Sequence, residues 1–217
     1  MKKIFALNGS PRAAGNSVLM LDAFIEGATQ RKCEINRFDI NALNIKPCTG
    51  CLRCNLIKSC SIRNDDWSLV SKSILDADVL VFAGPVYFHH FPGNVKLVLD
   101  RFRSFINVKI TEENLIHTPW QEWQKDFVLL LSMGSSDPAD AKPIIELFEF
   151  MCEILGSQNK LHVITATRLA VSKQISFNAP ELQELYKKIG LPTELAIIDA
   201  ERNRGILREC GGAFPIE

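Results

Sequence analysis

Two apolar runs of strand length constrain the fold of this chain more than any other feature. Residues 78–83 read DVLVFA and residues 127–132 read FVLLLS, and neither run alternates between apolar and polar positions. Continuous runs of this kind are expected in strands that are buried on both faces, as in a parallel sheet with helices on each side. The two runs therefore predict an α/β fold.

Shorter strand patterns alternate with helical patterns around these runs. Together with the two runs, they predict five strands and six helices: strands at residues 3–8, 35–40, 78–83, 127–132 and 161–165, and helices at 17–30, 64–76, 95–106, 144–155, 180–189 and 194–204. This alternation indicates a parallel sheet with helices on both faces. Because no repeat or linker is visible, we predict one domain over residues 1–217, with a helical extension at its C-terminal end.

Two of the predicted helices carry further expectations. The helix at 64–76 is expected to begin with Asn64 as its N-cap, and the two aspartates that follow would favour the helix dipole from the first turn. The helix at 95–106 has a wide apolar stripe, and a long loop with Trp120 and Trp123 follows it. We expect a subunit contact on this face; the alternative is that the two tryptophans only cap the local core.

The segment NGSPRAAGNS, residues 8–17, follows the first predicted strand and opens a helix. In that context, backbone N–H groups and the helix dipole form an anion site. The segment does not match the triphosphate loop, because Asn16 replaces the lysine and five residues rather than four separate the glycines, and it lacks G-x-G-x-x-G. Ser10, Arg12, Asn16 and Ser17 suit a single terminal phosphate, with Arg12 offsetting its charge. The alternative is a plain strand–turn–helix connection with Ser17 as N-cap.

Two more loops follow predicted strands, GPVYFHHFPGN at residues 84–94 and MGSSDP at 133–138. In doubly wound sheets, ligands bind beyond the carboxyl ends of the strands, so we expect function in these loops. Tyr87 and Phe88 provide aromatic area that is costly to expose without a partner, and a flat aromatic ligand fits there. The adjacent His89 and His90 are more simply explained as exposed loop polarity than as bases or ligands.

Four cysteines, Cys48, Cys51, Cys54 and Cys60, have the spacing C-x2-C-x2-C-x5-C. The absence of a signal peptide predicts a cytoplasmic protein with reduced thiols, and the odd total of seven cysteines argues against a disulfide framework. Zinc sites usually consist of two separated C-x2-C pairs, whereas three cysteines at a period of three can wrap one face of an iron–sulfur cluster. Cys60 is then the simplest fourth ligand. Free thiols in a substrate or interface loop, a zinc ion and a redox disulfide remain alternatives.

The two glycine-containing segments and the cysteine run occur together, and in this order they resemble the flavodoxin-like NAD(P)H-dependent FMN reductases, most closely the iron–sulfur flavoproteins. The resemblance is good over residues 2–101 and weakens beyond residue 136. It implies a three-layer sandwich with a five-stranded parallel sheet in the order 2-1-3-4-5. The site residues that it implies are Ser10, Arg12, Asn16 and Ser17 for the FMN phosphate; Pro85, Val86, Tyr87 and Phe88 along the isoalloxazine ring; Met133, Gly134 and Ser135 at its other edge; and Cys48, Cys51, Cys54 and Cys60 for a [4Fe–4S] cluster.

The resemblance implies an FMN-dependent oxidoreductase, a homodimer or homotetramer, that passes electrons from NADH or NADPH to a quinone, a flavin or a similar small molecule. One alternative is an electron carrier that accepts electrons from a ferredoxin-type protein without NAD(P)H activity, and another is a phosphate-binding regulatory module with a zinc loop. No catalytic residue is named, because hydride transfer to a flavin requires no acid–base side chain. The 25 basic and 25 acidic side chains balance, so neither a nucleic-acid partner nor, without a membrane-length apolar segment, a membrane partner is expected.

Overall fold

The computed structural model describes residues 1–169, so the helices expected at 180–189 and 194–204, and Cys210, lie outside the described residues. In chain order, the elements are β1 (Lys3–Asn8), α1 (Asn16–Gln30), β2 (Glu34–Asp39), α2 (Cys54–Ile57), α3 (Trp67–Asp76), β3 (Val79–Pro85), α4 (Gly93–Arg101), β4 (Ile106–Ile110), β5 (Leu115–Pro119), β6 (Asp126–Ser132), α5 (Lys142–Leu155) and β7 (Lys160–Ala166). Short 3-10 segments cover Ile40–Ala42, Phe102–Phe105 and Pro138–Ala141.

Five of these strands form one parallel sheet in the order β2-β1-β3-β6-β7. Along the central strand β3, alternate side chains point to opposite faces of the sheet. Val81 packs in the core under α1, whereas Phe82 packs in a second core under α3, α4 and α5. The structure therefore confirms the predicted five-stranded sheet with helices on both faces, and it confirms the order 2-1-3-4-5 counted over the parallel strands.

The predicted helix at 95–106 is wrong at its C-terminal end. α4 ends at Arg101, a 3-10 turn follows, and Ile106 begins an antiparallel hairpin of β4 and β5 that the sequence analysis missed. Phe105 turns into the core, where its ring lies 5.6 Å from that of Trp67 and 5.2 Å from that of Trp123. The apolar stripe expected to form a subunit contact is thus buried within the same chain, and Trp123 belongs to that core.

The start of α3 also differs from the prediction. The helix begins at Trp67, with Asp66 rather than Asn64 at the N-cap position. Asp66 instead holds the preceding loop, since its Oδ2 accepts a hydrogen bond of 2.7 Å from the backbone N–H of Asn44. The neighbouring Asp65 forms an ion pair with Arg101, so these carboxylates connect separate segments and do not sit in the first helical turn.

None of the helices in residues 1–169 combines the length and the apolar content that a membrane span requires.

Candidate functional site

The loop after β1 is held against the neighbouring strand by a glycine. The backbone N–H of Gly9 donates a hydrogen bond of 2.6 Å to the carbonyl oxygen of Ala83 at the end of β3. A Cβ atom at Gly9 would lie 2.5 Å from Cγ2 of Val95 and 3.0 Å from that carbonyl oxygen. The absence of a side chain therefore allows the loop to enter the narrow gap between β3 and α4.

Ser10 is buried and closes the loop on itself. Its Oγ accepts a hydrogen bond of 3.1 Å from the N–H of Arg12 and donates one of 3.0 Å to the carbonyl oxygen of the same residue. Two asparagines complete the arrangement, because Asn8 Oδ1 accepts from the N–H of Ser10 and Asn41 Nδ2 donates to its carbonyl oxygen. Neither asparagine was among the predicted site residues; a polar residue at the end of an apolar strand was the available signal for Asn8.

The N-terminus of α1 opens toward the same loop. Gly15 occupies the N-cap position, no side chain caps the helix, and its first turn contains no acidic residue. Asn16 and Ser17 are both buried. Ser17 is not the N-cap, since its Oγ lies 2.6 Å from Oγ of Ser132 and so links α1 to the end of β6. An uncapped helix N-terminus whose first turn lacks acidic residues favours an anion, and the exposed Arg12 adds a cation to this loop.

The loop after β3 ends in a tight turn that exposes an aromatic ring. Tyr87 and His90 exchange two backbone hydrogen bonds, of 2.7 and 3.0 Å, around Phe88 and His89. Both central residues have left-handed backbone angles, with φ of 48° and 61°, which non-glycine residues adopt at a cost. The Phe88 side chain is fully exposed and that of Tyr87 is 43% exposed. Pro85 and Val86, partly buried, connect this turn to the sheet.

The two histidines of this turn have structural partners. Nδ1 of His89 lies 3.1 Å from the carbonyl oxygen of Asp140, and Nδ1 of His90 accepts a hydrogen bond of 2.9 Å from the N–H of Phe91. Burial and the nearby Lys96 lower the pKa of His90. A backbone group of another residue thus engages each histidine of the pair.

The loop after β6 lies beside the other two. Met133 is buried, and its backbone donates to the carbonyl oxygen of Ala166 and accepts from the N–H of Leu169. Gly134 is exposed, and Ser135 is partly exposed. The N–H of Val86 donates to the carbonyl oxygen of Ser132, which joins this loop to the loop after β3. The three predicted loops thus share one edge of the sheet.

The four cysteines of the run line a single cavity of about 160 Å³. Cys48 and Cys51 are exposed, Cys60 is partly buried and Cys54 is buried. The loop that carries them turns through left-handed backbone angles, with φ of 65° at Gly50 and 56° at Leu52. Further residues that line the cavity include Ser61, Ile62, Arg101, Arg103 and Ser104.

Arginines and hydroxyls set the electrostatics of this cavity. Nη1 of Arg103 donates a hydrogen bond of 3.4 Å to Sγ of Cys54. Burial raises the pKa of Cys54, although the positive charge of Arg103 opposes that rise. For the exposed Cys51, a contact of 3.4 Å with Oγ of Ser61 and a hydrogen bond with the Arg53 backbone lower the pKa to about 7. Within residues 1–169, no group of three or more His, Cys, Asp or Glu side chains is arranged to hold a metal ion.

Comparison with protein families gives a match over most of the described chain. Residues 2–173 match the family model of NADPH-dependent FMN reductases. An iron–sulfur flavoprotein of Clostridioides difficile (strain 630) is 30% identical over 94% of this chain and 95% of its own length. An iron–sulfur flavoprotein of Archaeoglobus fulgidus is 31% identical over 48% of this chain and 46% of its own length. The match thus covers about half the length of the archaeal relatives.

Solved structures share the fold at low sequence identity. The NAD(P)H:quinone oxidoreductase from Methanothermobacter marburgensis superposes with a TM-score of 0.67 at 16% identity, covering 98% of both chains. An azoreductase from Bacillus anthracis str. Sterne superposes with a TM-score of 0.66 at 13% identity, covering 99% of this chain and all of the other. At these identities, the similarity establishes the fold alone.

Proposed function

Because this chain belongs to the NADPH-dependent FMN reductase family, we propose that it is an FMN-dependent oxidoreductase that transfers electrons from NADPH or NADH to a small-molecule acceptor such as a quinone or a free flavin. One observation carries the proposal: three loops that can bind a phosphate and an aromatic ring lie side by side at the carboxyl edge of the sheet. Ligands of doubly wound sheets bind at that edge.

The loop after β1 is the proposed site of the FMN phosphate. Ser10, Arg12, Asn16 and Ser17 would hold it, together with backbone N–H groups at the start of α1, because a helix N-terminus presents donors to an anion. The donor set suits a dianionic monoester, because the first turn of α1 contains no acidic residue. Ser10 contributes mainly by fixing the loop, since its hydroxyl already bonds the backbone of Arg12.

The loops after β3 and β6 are the proposed site of the isoalloxazine ring. Pro85, Val86, Tyr87 and Phe88 would line one side, and Met133, Gly134 and Ser135 would line the other edge. The exposure of Tyr87 and Phe88 supports this assignment, because a large aromatic surface in water is stabilised by a flat partner. When bound, FMN supplies the chemistry of accepting a hydride from a nicotinamide and passing electrons onward.

The cysteine cavity is the proposed site of a [4Fe–4S] cluster on Cys48, Cys51, Cys54 and Cys60. Two observations support the fit. All four thiols line one cavity, and Arg101, which also lines it, has a buried Nε–H without an acceptor in the described part of the chain. Cluster sulfurs are acceptors for such donors. Within residues 1–169 the thiols are not arranged to hold a single metal ion, which favours a multi-iron cluster over zinc. When bound, the cluster supplies one-electron transfer.

A second candidate function is an electron carrier that accepts electrons from an acidic ferredoxin-type protein. The charge of the cysteine loop favours it. Residues 46–63 contain four basic side chains, Lys46, Arg53, Lys58 and Arg63, and no acidic one. Exposed Leu52, Leu56 and Ile57 lie between them. Basic side chains next to exposed apolar ones complement an acidic protein surface and accelerate its association.

Two measurements test these proposals. The first is anaerobic purification followed by FMN, iron and sulfide analysis; bound FMN supports the oxidoreductase, and a colourless protein that fails to take up added FMN contradicts both redox functions. The second is stopped-flow measurement of flavin bleaching by NADH and NADPH. Bleaching supports the proposed oxidoreductase, whereas a flavin that stays oxidised with both nucleotides but is reduced by a reduced ferredoxin supports the carrier.

A further inference from the structure

The cysteine cavity contains one arginine that contacts a thiol directly. We propose that Arg103 is a positioning residue that raises the reduction potential of the cluster by donating a hydrogen bond, and presenting its charge, to the sulfur of Cys54. This inference rests on the proposed cluster. The cluster can be present without an effect of Arg103 on its potential, so this inference can fail while the cluster proposal stands.

Three hydrogen bonds fix the guanidinium of Arg103. Nη1 donates to Sγ of Cys54 at 3.4 Å and to the carbonyl oxygen of Ile106 at 2.9 Å, and Nη2 donates to Oδ1 of Asn55 at 2.8 Å. The carbonyl oxygen of Arg103 itself lies 3.7 Å from the same sulfur. Arg103 therefore contacts this sulfur through both its guanidinium and its backbone.

The partner amide of this guanidinium is itself held rigidly. Asn55 donates from Nδ2 to the carbonyl oxygen of Val108 at 2.8 Å, and its Oδ1 accepts from the N–H of Val108 at 3.1 Å. These two bonds attach α2 to strand β4. The contact between Arg103 and Cys54 is thus part of a network that leaves the guanidinium little freedom to turn away from the sulfur.

The two arginines of the cavity differ in how their charges are neutralised. Arg101 forms an ion pair with Asp65, whereas Arg103 forms none with any described residue. Arg103 therefore presents a net positive charge at the wall of a cavity lined by four thiols. Four thiolates around a cluster carry a negative total, which a nearby cation stabilises.

The effect on potential follows from the sign of the added charge. Reduction places one more negative charge among the sulfurs, so a cation and an N–H donor at Cys54 stabilise the reduced form more than the oxidised form. Hydrogen bonds to the sulfurs and net charge are known determinants of cluster potential. Loss of Arg103 is therefore expected to make the midpoint potential more negative.

The test compares wild type with Arg103→Gln, which retains N–H donors but no charge, and Arg103→Lys, which retains the charge without the planar fork. Lys109→Gln, which removes a charge from β4 outside the cavity, is the matched control. Midpoint potentials are read from the paramagnetic signal of the reduced cluster. We expect the equilibrium constant for reduction to fall about tenfold in Arg103→Gln, which is about 59 mV for a one-electron couple, to fall less in Arg103→Lys, and to stay unchanged in Lys109→Gln.

The outcomes separate this inference from the cluster proposal. Equal potentials in wild type, Arg103→Gln and Arg103→Lys, with unchanged iron and sulfide contents, overturn the role of Arg103 alone. If Arg103→Gln does not retain the cluster, wild type is compared with Arg103→Lys. A midpoint potential of Arg103→Lys below that of wild type supports the role of Arg103, and an equal potential overturns it. Wild-type protein without iron and sulfide after anaerobic purification overturns the cluster and this inference together.

Discussion

Arg101 and Asp65 form an ion pair in which both side chains are fully removed from solvent, with 2.6 Å between Nη1 and Oδ2. The pair fastens both ends of the cysteine loop, because Arg101 also donates to the carbonyl oxygens of Lys46 and Ile62. The guanidinium lies 5.3 Å from the centre of the Trp67 ring, which adds a cation–π contact. The loop that carries the cysteines is thus attached to α4 through one buried cation.

Asp65→Asn is expected to destabilise the fold strongly. Removing one member of a buried pair leaves an uncompensated charge and costs about 3–5 kcal/mol. The exposed pair of Lys96 and Asp100 provides the control, since Asp100→Asn should change the free energy of unfolding by about 0.5 kcal/mol or less. Urea unfolding of wild type and both variants checks this, and similar losses in the two variants would contradict the assigned role of burial.

The same pair predicts how stability depends on acid. Burial raises the pKa of Asp65, but hydrogen bonds from Arg101 and from the N–H groups of Lys46 and Trp67 outweigh it and lower the pKa overall. A carboxyl with a lowered folded pKa contributes stability above its unfolded pKa of about 3.9, and that contribution is lost as the pH falls through the folded pKa. The difference in unfolding free energy between wild type and Asp65→Asn should therefore be constant above about pH 5 and shrink below about pH 4. A constant difference down to the lowest pH would disprove it.

Arg12→Gln is expected to weaken the binding of FMN but not of riboflavin. A charge-assisted hydrogen bond contributes about 1.5–3 kcal/mol, so the dissociation constant for FMN should rise about 10- to 100-fold. Riboflavin lacks the phosphate and should bind wild type and variant equally. Fluorescence titration of flavin-free protein measures both ligands, and Arg31→Gln, at the other end of α1, controls for net charge. An equal loss for both ligands would place Arg12 away from the phosphate.

Cys51 is expected to be the first thiol alkylated in the iron-free protein. The contact with Ser61, followed by the backbone of Arg53, lowers the pKa of Cys51 to about 7, whereas burial raises that of Cys152 to about 12. Because the thiolate is the nucleophile, the rate of Cys51 labelling by iodoacetamide should rise with pH through a midpoint near 7. Ser61→Ala should move the midpoint toward about 8.5. Mass spectrometry of peptides follows each cysteine; preferential labelling of Cys152 would refute the prediction.

Gly9→Ala is expected to destabilise the fold by about 1–3 kcal/mol through overpacking. The added methyl group would lie 2.5 Å from Cγ2 of the buried Val95. Combining it with Val95→Ala should cost less than the sum of the two single changes, because the second substitution makes room for the first. Gly93→Ala, where a Cβ meets nothing within 4 Å, is the matched control and should be nearly neutral. Additive losses in the double variant would argue against the clash.

The sheet and the position of the three loops were predictable from the sequence. The runs at 78–83 and 127–132 had to be buried on both faces, and parallel strands place all the loops that follow them at one edge. Helix ends were less predictable. The segment 95–106 has one apolar stripe, and only the packing of Phe105 against Trp67 and Trp123 decides that α4 stops at Arg101 and a hairpin follows.

The sequence by itself determined the α/β architecture and the clustering of four thiols in one loop, because local periodicity and spacing encode both. The strand order was predicted from the resemblance to a known family and not from the pattern of residues. Only the tertiary structure decided which charged side chains serve that loop. Arg101 reaches Asp65 across 36 residues, and Arg103 reaches Cys54 across 49. Contacts of that separation leave no periodic trace in a sequence, because the partners meet only when the segments that carry them have packed together.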